Sequence, residues 1–305
     1  MKTETHNTRV AVLMGGDSAE REISLRSGQA VLEALQQAGV SAHGIDLQSH
    51  NLHQKMSEQT YDQAFIMVHG RSGEDGTLQG ALEHLNIPYT GSGVLGSALG
   101  MDKARCKAIW QAQHLPTPKF RCIKDHEKDT LQTDELTFPV IIKPVHEGSS
   151  IGMQRVESLA QLNHALDEAF GYDNEVLIEQ WVDGPEYTVA ILQDRALPVI
   201  RLETPHAFYD YAAKYQADST RYLCPCGLDP ADEKYLQDLA LTAFQAVGCS
   251  GWGRVDILCN SQGEAFLIEV NTVPGMTDHS LVPMAAKHAD LSFQQLVLKI
   301  LETAS

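Results

Sequence analysis

The 305-residue sequence has no CxxC pair and no HExxH motif, and its six cysteines are scattered apart from Cys224-Pro225-Cys226. Such spacing offers no tetrahedral zinc site, and the cysteines read instead as small buried residues of a reducing compartment. No apolar run reaches the roughly 18 residues of a membrane-spanning helix. Residues 1–9 are polar and lack the apolar stretch of a secretory signal. The expectation is a cytoplasmic protein with no membrane partner. Positive charge is scarce: 23 Lys and Arg face 40 Asp and Glu, a formal net charge of -17. Nucleic-acid backbones demand clustered cations, so no nucleic-acid partner is expected. A GxxxxGK[ST] phosphate loop is absent, and Gly15-Gly16 lacks the GxGxxG spacing of a dinucleotide site. There is no internal repeat and no low-complexity segment.

What is present is an ordinary globular composition, 43% hydrophobic, long enough for two or three domains that share clefts. Residues 10–14 form a short apolar run ending in Gly15-Gly16, the pattern of a buried parallel strand entering a turn. Leu25, Gly28, Val31, Leu32 and Leu35 recur at helical spacing until Gly39. A second buried strand is expected over residues 64–68, a helix carrying Leu78, Ala81, Leu82 and Leu85, and a short strand at 87–89. These define a first α/β domain, residues 1–102, whose strand C-terminal ends are where open α/β sheets bind ligands.

A helix then opens after Asp102, and strands are expected at 120–123, 140–143 and 176–180, with a helix over 158–170. This is a small α+β domain, residues 103–185. The remainder, 186–305, starts with strands at 187–193 and 198–203. A stretch at 204–228 is too long for a plain connector. Asp229-Pro230 cap a helix running to about residue 247.

The most informative segment is 252–271, two strands flanking a loop read as the four residues Asn260-Ser261-Gln262-Gly263. With Cys259 opposite Glu264, Val255, Ile257, Phe266, Ile268 and Val270 share an apolar face. Arg254, Asp256, Glu269 and Asn271 share the other. In that register Arg254 lies across from Glu269, with Asp256 as diagonal neighbour. Two carboxylates and an amide oxygen beside a cation suit Mg²⁺, a hard ion that takes oxygen ligands and substrate phosphates. A pair of such ions against a triphosphate is one reading, and a solvated sheet face with an ordinary salt bridge is the other.

Glu269-Val270-Asn271-Thr272-Val273-Pro274-Gly275-Met276-Thr277, preceded by Gly251-Trp252-Gly253-Arg254-Val255-Asp256, resembles the D-alanine–D-alanine ligases of the ATP-grasp superfamily. Further matching motifs are Gly15-Gly16-Asp17-Ser18-Ala19-Glu20-Arg21-Glu22-Ile23-Ser24 and His69-Gly70-Arg71-Ser72-Gly73-Glu74-Asp75-Gly76. Glu147-Gly148-Ser149-Ser150-Ile151-Gly152 and Phe208-Tyr209-Asp210-Tyr211 with Lys214-Tyr215 complete the set. Each motif alone is weak; five in order along the chain are not. The resemblance implies three domains, an N-terminal Rossmann-like parallel sheet followed by an ATP-grasp pair holding ATP between the central and C-terminal domains.

It also implies roles. Lys103, Lys143 and Lys214 would meet the phosphates of ATP; Glu179, Gln180, Trp181 and Val182 would form the adenine hinge; Glu186 would hold the ribose. Asp256, Glu269 and Asn271 would bind Mg²⁺, two ions in the family's pattern and replaceable by Mn²⁺. Glu20 would pair with the ammonium of the first D-alanine, assisted by His69, and Ser280 with Leu281 would take the carboxylate of the second. Glu20, Ser149 and Tyr215 would close the site, and Arg254 with the Gly275 N–H would stabilise the oxyanion. The implied reaction runs through an acyl phosphate, for peptidoglycan precursor synthesis, in a homodimer, with residues 204–228 as a lid over the intermediate. Two alternatives stand beside it, a ligase that makes an ester with D-lactate and a non-catalytic nucleotide sensor.

Overall fold

The computed structural model describes residues 8–48, 51–204 and 220–305. Three strands, β1 (Arg9–Gly15), β2 (Ser41–Leu47) and β3 (Gln63–Ile66), pair in parallel in the order β2-β1-β3. Central β1 is fully buried at Val10, Ala11, Val12 and Leu13, as a parallel strand covered on both faces must be. The crossover between β1 and β2 is α1 (Arg21–Gln37). Strand β2 has no counterpart in the sequence expectations. It is an edge strand of sequence SAHGIDL with alternating exposure, so His43 and Asp46 interrupt the apolar run that marks β1. The strand expected at 87–89 shrinks to one parallel bridge between Ala64 and Tyr89. Short helices α2 (Leu52–Ser57), α3 (Thr77–His84) and α4 (Val94–Met101) complete this part.

Asp102 starts α5 (Lys103–Ala112) by accepting the Arg105 N–H at 2.8 Å. Four antiparallel strands follow, β4 (Phe120–Lys124), β5 (Val140–Pro144), β6 (Gln154–Val156) and β7 (Glu175–Gln180), ordered β4-β7-β5-β6. Helix α6 (Leu159–Phe170) buries Leu162, Ala165, Leu166 and Ala169 against them.

The third sheet is antiparallel and holds β8 (Glu186–Leu192), β9 (Arg195–Ala196), β10 (Ile200–Glu203), β11 (Arg221–Leu223), β12 (Trp252–Cys259) and β13 (Ala265–Asn271). Its order is β11-β10-β8-β12-β13, with β9 on β8. Helix α7 (Pro230–Ala246) packs beneath it through Leu239, Ala240 and Phe244, and Asp229 caps α7 by accepting the N–H groups of Ala231 and Asp232 at 2.9 and 3.0 Å. The expected loop at 204–228 therefore contains a short strand, β11, before its last five residues. The Phe208-Tyr209-Asp210-Tyr211 motif, Lys214 and Tyr215 lie outside the described residues.

Helices α8 (Leu281–His288) and α9 (Phe293–Leu301) end the chain. Their apolar sides do not pack under the third sheet's α7 side. Val282, Ala286, Leu296 and Ile300 instead join the core around β1 and α1, together with Trp252 and Met276. The first sheet is thus finished by the last twenty or so residues of the chain. Ile300 has no exposed surface, so Ile300→Ala is expected to destabilise the fold by about 2–5 kcal/mol. Urea unfolding followed by far-UV circular dichroism checks this, and an unchanged midpoint would refute the shared core.

Candidate active site

The site is built outward from the β12–β13 hairpin. The observed pairing sets Arg254 opposite Asn271, Val255 opposite Val270 and Asp256 opposite Glu269; beyond a bulge, Ile257 faces Leu267 and Cys259 faces Ala265. Two expectations are corrected here. The loop has three residues, because the Asn260 N–H donates to the Glu264 carbonyl at 3.0 Å and Gly263 takes a left-handed φ of 82°. Ile268 is the extra residue of the bulge, so Ala265 and Leu267 face the core while Phe266 and Ile268 do not. The loop and the bulge each shift the register by one residue. Together the shifts restore the original parity, which is why Arg254, Asp256, Glu269 and Asn271 still share a face. Asp256 and Glu269 become direct cross-strand partners, and Arg254 is no longer opposite Glu269.

On that face the Arg254 guanidinium grips Asp256 in a fork, Nε to Oδ1 at 2.8 Å and Nη2 to Oδ2 at 2.7 Å. Thr188, opposite Asp256 on β8, donates its hydroxyl to Oδ1 at 2.6 Å. The Lys103 ammonium lies 3.8 Å from Glu269 Oε2. Among the described residues Asn271 Oδ1 is buried without a hydrogen-bond partner, an orphaned acceptor next to two carboxylates. Among the described residues no three His, Cys, Asp or Glu side chains gather as a metal cage. Two carboxylates and an amide oxygen fit Mg²⁺, which completes its octahedron with phosphate oxygens and water.

Two cavities meet at this face, of about 470 and about 430 Å³, and Glu269 lines both. Arg254 and Asn271 look into the first, Asp256 into the second. The second lies between the two antiparallel sheets. The hinge residues Glu179, Gln180, Trp181 and Val182 line it with Glu186 and Lys143, and Met153, Leu258 and Ile268 add apolar wall. Trp181 is stacked under Arg155, whose guanidinium carbon is 4.6 Å from the ring centre. The N–H groups of Gln180 and Trp181 are already donated to the Lys119 and Pro139 carbonyls at 2.8 and 3.2 Å.

The Glu179 side chain is a buried counter-ion, 2.7 Å from both Lys107 and Lys143, which leaves its backbone to the hinge. Burial pushes its carboxyl up, but the two ammonium groups outweigh burial and hold it below the usual carboxylate range. Burial likewise pulls the Lys107 ammonium down, with Glu179 opposing. Lys107 also donates to Thr117 Oγ1 at 2.8 Å and to the Leu267 carbonyl at 3.2 Å, beside the bulge. Lys103 donates to the Glu147 carbonyl at 2.6 Å.

The first cavity collects residues from all three sheets: Glu20 and His69 after β1 and β3, Ser149 from the loop 147–152, and Gly275, Ser280 and Leu281 after β13. Ser149 donates its hydroxyl to Glu20 Oε1. A side chain at Gly148 would press on Glu20, its Cβ 2.9 Å from Oε2. Ser18 ties the two loops, accepting the Glu20 N–H and donating to the His69 carbonyl at 2.8 Å. Behind them His69 is 3% exposed, with Nε2 3.5 Å from Ser27 Oγ and Nδ1 3.7 Å from Glu74 Oε1. Burial pushes the Glu74 carboxyl up, and its bond to His69 acts against this. The Ser280 hydroxyl accepts the Thr277 N–H at 2.9 Å and stands at the N-terminus of α8, where unpaired N–H groups favour an anion.

Every predicted site residue within the described part thus lines one of the two cavities. Lys107 and Thr188 had no signal of their own, since a lone Lys or Thr is ordinary until its partners are known, and Glu74 stood in the 69–76 motif without a role assigned to it. Their partners lie 72, 68 and 5 positions away in Glu179, Asp256 and His69.

Comparison with known proteins agrees with this geometry. Profiles of the D-Ala–D-Ala ligase C-terminus and N-terminus match residues 109–302 and 46–92. The D-alanine–D-alanine ligase of Nitrosococcus oceani is 56% identical over 97% of this chain and 93% of its own length. That of Pseudomonas fluorescens is 57% identical over 96% and 90%. Among solved structures, the VanG D-Ala:D-Ser ligase of Enterococcus faecalis superposes with a TM-score of 0.86 at 32% identity, covering 97% of this chain and 99% of that one. The D-alanine–D-alanine ligase of Bacillus anthracis, complexed with ATP, gives 0.86 at 34% identity over 97% and 96%. With a hairpin that sets two carboxylates, an amide and a guanidinium between two cavities, and near-full-length likeness to these enzymes, the chain belongs to the D-alanine–D-alanine ligase family of the ATP-grasp fold.

Proposed function

We propose that the chain uses ATP to join two D-alanines into D-alanyl-D-alanine. One observation carries the reading: Arg254, Asp256, Glu269 and Asn271 converge where a nucleotide-sized cavity meets a cavity lined by Glu20, Ser149 and Ser280. A carboxylate does not react with an amine at neutral pH, because its leaving group is too poor. The carboxylate of the first D-alanine therefore attacks the γ-phosphorus, and ADP leaves. The amine of the second then attacks the acyl carbon, and phosphate leaves with the carboxylate's own oxygen. Catalysis of phosphoryl transfer is mainly positioning and charge neutralisation, for which this set of residues is suited.

In this assignment Glu20, with His69 behind it, holds the first ammonium, and Ser149 orders Glu20. Ser280, Leu281 and the α8 N-terminus bind the second carboxylate. Arg254 and the Gly275 N–H stabilise the oxyanion of the tetrahedral intermediate. Lys103 and Lys143 meet phosphate oxygens, Lys143 leaving Glu179 to Lys107 as it does so. Adenine lies between Trp181, Leu258 and Ile268, read by the hinge carbonyls and Val182, with Glu186 on the ribose. Asp256, Glu269 and Asn271 would hold Mg²⁺, one ion or two, which would neutralise the phosphates. The family pattern adds Lys214 and Tyr215 from the lid, the three-domain division near residues 102 and 185, and a cytoplasmic homodimer.

The test is ADP formation coupled to dipeptide analysis with D-alanine, L-alanine, D-serine and D-lactate as second substrate. ADP and D-alanyl-D-alanine formed together, with L-alanine inert, is the expected result. Preference for D-lactate or D-serine would change the product assignment, and ATP binding with no turnover on any of them would leave a sensor.

A further inference from the structure

His146 sits between β5 and the loop 147–152 and has no part in the assignment above. Its ring nitrogens face two carboxylates, Nδ1 2.8 Å from Asp173 Oδ2 and Nε2 3.2 Å from Asp102 Oδ2. Its backbone N–H donates to the same Asp173 oxygen at 2.7 Å. The two carboxyls are nearly buried, with side-chain exposures of 8% for Asp102 and 3% for Asp173. Ionised carboxylates only accept, and a neutral imidazole has a single N–H to give. Only the imidazolium serves both partners.

The elements joined this way are far apart in the chain. Asp102 is the cap between α4 and α5, where it also accepts from the Arg105 backbone and pairs with the Arg105 side chain. Asp173 precedes β7 and has Arg71, from the loop after β3, at 3.8 Å. Arg71 continues to Glu147 at 3.0 Å, and Lys103 holds the Glu147 carbonyl. Arg105 and Lys124 face Glu175 at 3.4 and 3.6 Å. Past this anchored root the backbone turns left-handed at Ser149 (φ 51°), Ser150 (φ 59°) and Gly152 (φ 68°), and Ser149 reaches Glu20. Non-glycine residues hold such angles only where the surroundings enforce them.

We propose that His146 is a positioning residue, an imidazolium clamp that fixes the root of loop 147–152 between Asp102 and Asp173 and so sets Ser149 and the loop N–H groups for the ligase reaction. The inference rests on the reading of that loop as the cover of the phosphates and of the first substrate. Hydrogen bonds to Asp102 and then Asp173 raise the imidazole to about 9 against partial burial. Asp102, pushed up by burial, is brought down to about 2 by its bonds to His146 and Arg105, and Asp173 is lowered in the same way. The sign follows. A raised folded-state value means the clamp is complete below the ordinary histidine range near about 6.5 and is lost as pH rises through about 9.

The experiment has two readouts on the full chain. In the first, kcat/KM for ATP at saturating D-alanine is followed against pH for the wild type, His146→Arg and His146→Gln. The wild type is expected to fall about tenfold per pH unit on the alkaline side, as loss of one proton requires. His146→Gln should already be low at pH 8 and flat, and His146→Arg, permanently charged, should recover activity and lose that limb. In the second, the ring Cε1–H resonance identified by its absence from either variant should titrate near 9. The same alkaline limb in His146→Arg, or a ring titrating in the ordinary histidine range, overturns the proposal. A wild type without D-alanine-dependent ADP formation at any pH strikes the functional reading instead, and the ring titration still decides the clamp.

Discussion

Arg254→Ala is expected to lower kcat by about 10²–10³-fold, the cost of removing one oxyanion-stabilising donor, with KM for ATP little changed. The guanidinium lines the substrate cavity and not the hinge cavity, so adenine and ribose contacts survive its loss. Its removal also frees one side of Asp256, which keeps the Thr188 hydroxyl at 2.6 Å. Arg254→Lys is expected to recover a minor part, because an ammonium is a point charge and cannot make the two-bond fork to Asp256. Steady-state kinetics in ATP and in D-alanine separate the cases. A variant that loses ATP affinity but keeps kcat would move Arg254 from the reacting centre to the nucleotide.

Glu269→Gln is expected to raise the free Mg²⁺ concentration needed for half-maximal turnover by at least about 100-fold. Among the described residues Glu269 alone lines both cavities, and it stands directly across the hairpin from Asp256. The substitution keeps size and an oxygen but removes a charge, and a hard divalent cation responds mainly to charge. Lys103, 3.8 Å away, loses its carboxylate at the same time. Turnover against free Mg²⁺, with the thermal midpoint as a check that the fold is kept, decides the matter. An unchanged Mg²⁺ dependence at unchanged fold would remove Glu269 from the metal set.

The hairpin shows what sequence patterning can and cannot carry. Alternation placed Arg254, Asp256, Glu269 and Asn271 on one face, because side-chain period in a strand is a local property. Register is not local: it depends on Gly263 closing a three-residue turn and on Ile268 being left unpaired. The expected apolar face was therefore right at Val255, Ile257 and Val270 and wrong at Phe266 and Ile268. Strand β2 was illegible for a different reason, since an edge strand need not be apolar, and His43 and Asp46 hide it. Helices α8 and α9 have no counterpart in the sequence expectations, and nothing local says that Leu296, Val297 and Ile300 complete the core around β1, nearly 300 residues earlier. The same holds for the polar pairs around the site: Lys107 with Glu179, Thr188 with Asp256, and His146 with Asp102 and Asp173 become visible only once the sheets are assembled.

The source of the oxygen in the released phosphate distinguishes an acyl-phosphate reaction from any other route. D-Alanine carrying oxygen-18 in its carboxylate, ATP and Mg²⁺ are to be turned over with the wild-type chain and the inorganic phosphate analysed by mass spectrometry. An acyl phosphate requires one labelled oxygen in each phosphate formed. Phosphate free of label, with dipeptide still accumulating, would mean that the carboxylate never attacks the nucleotide.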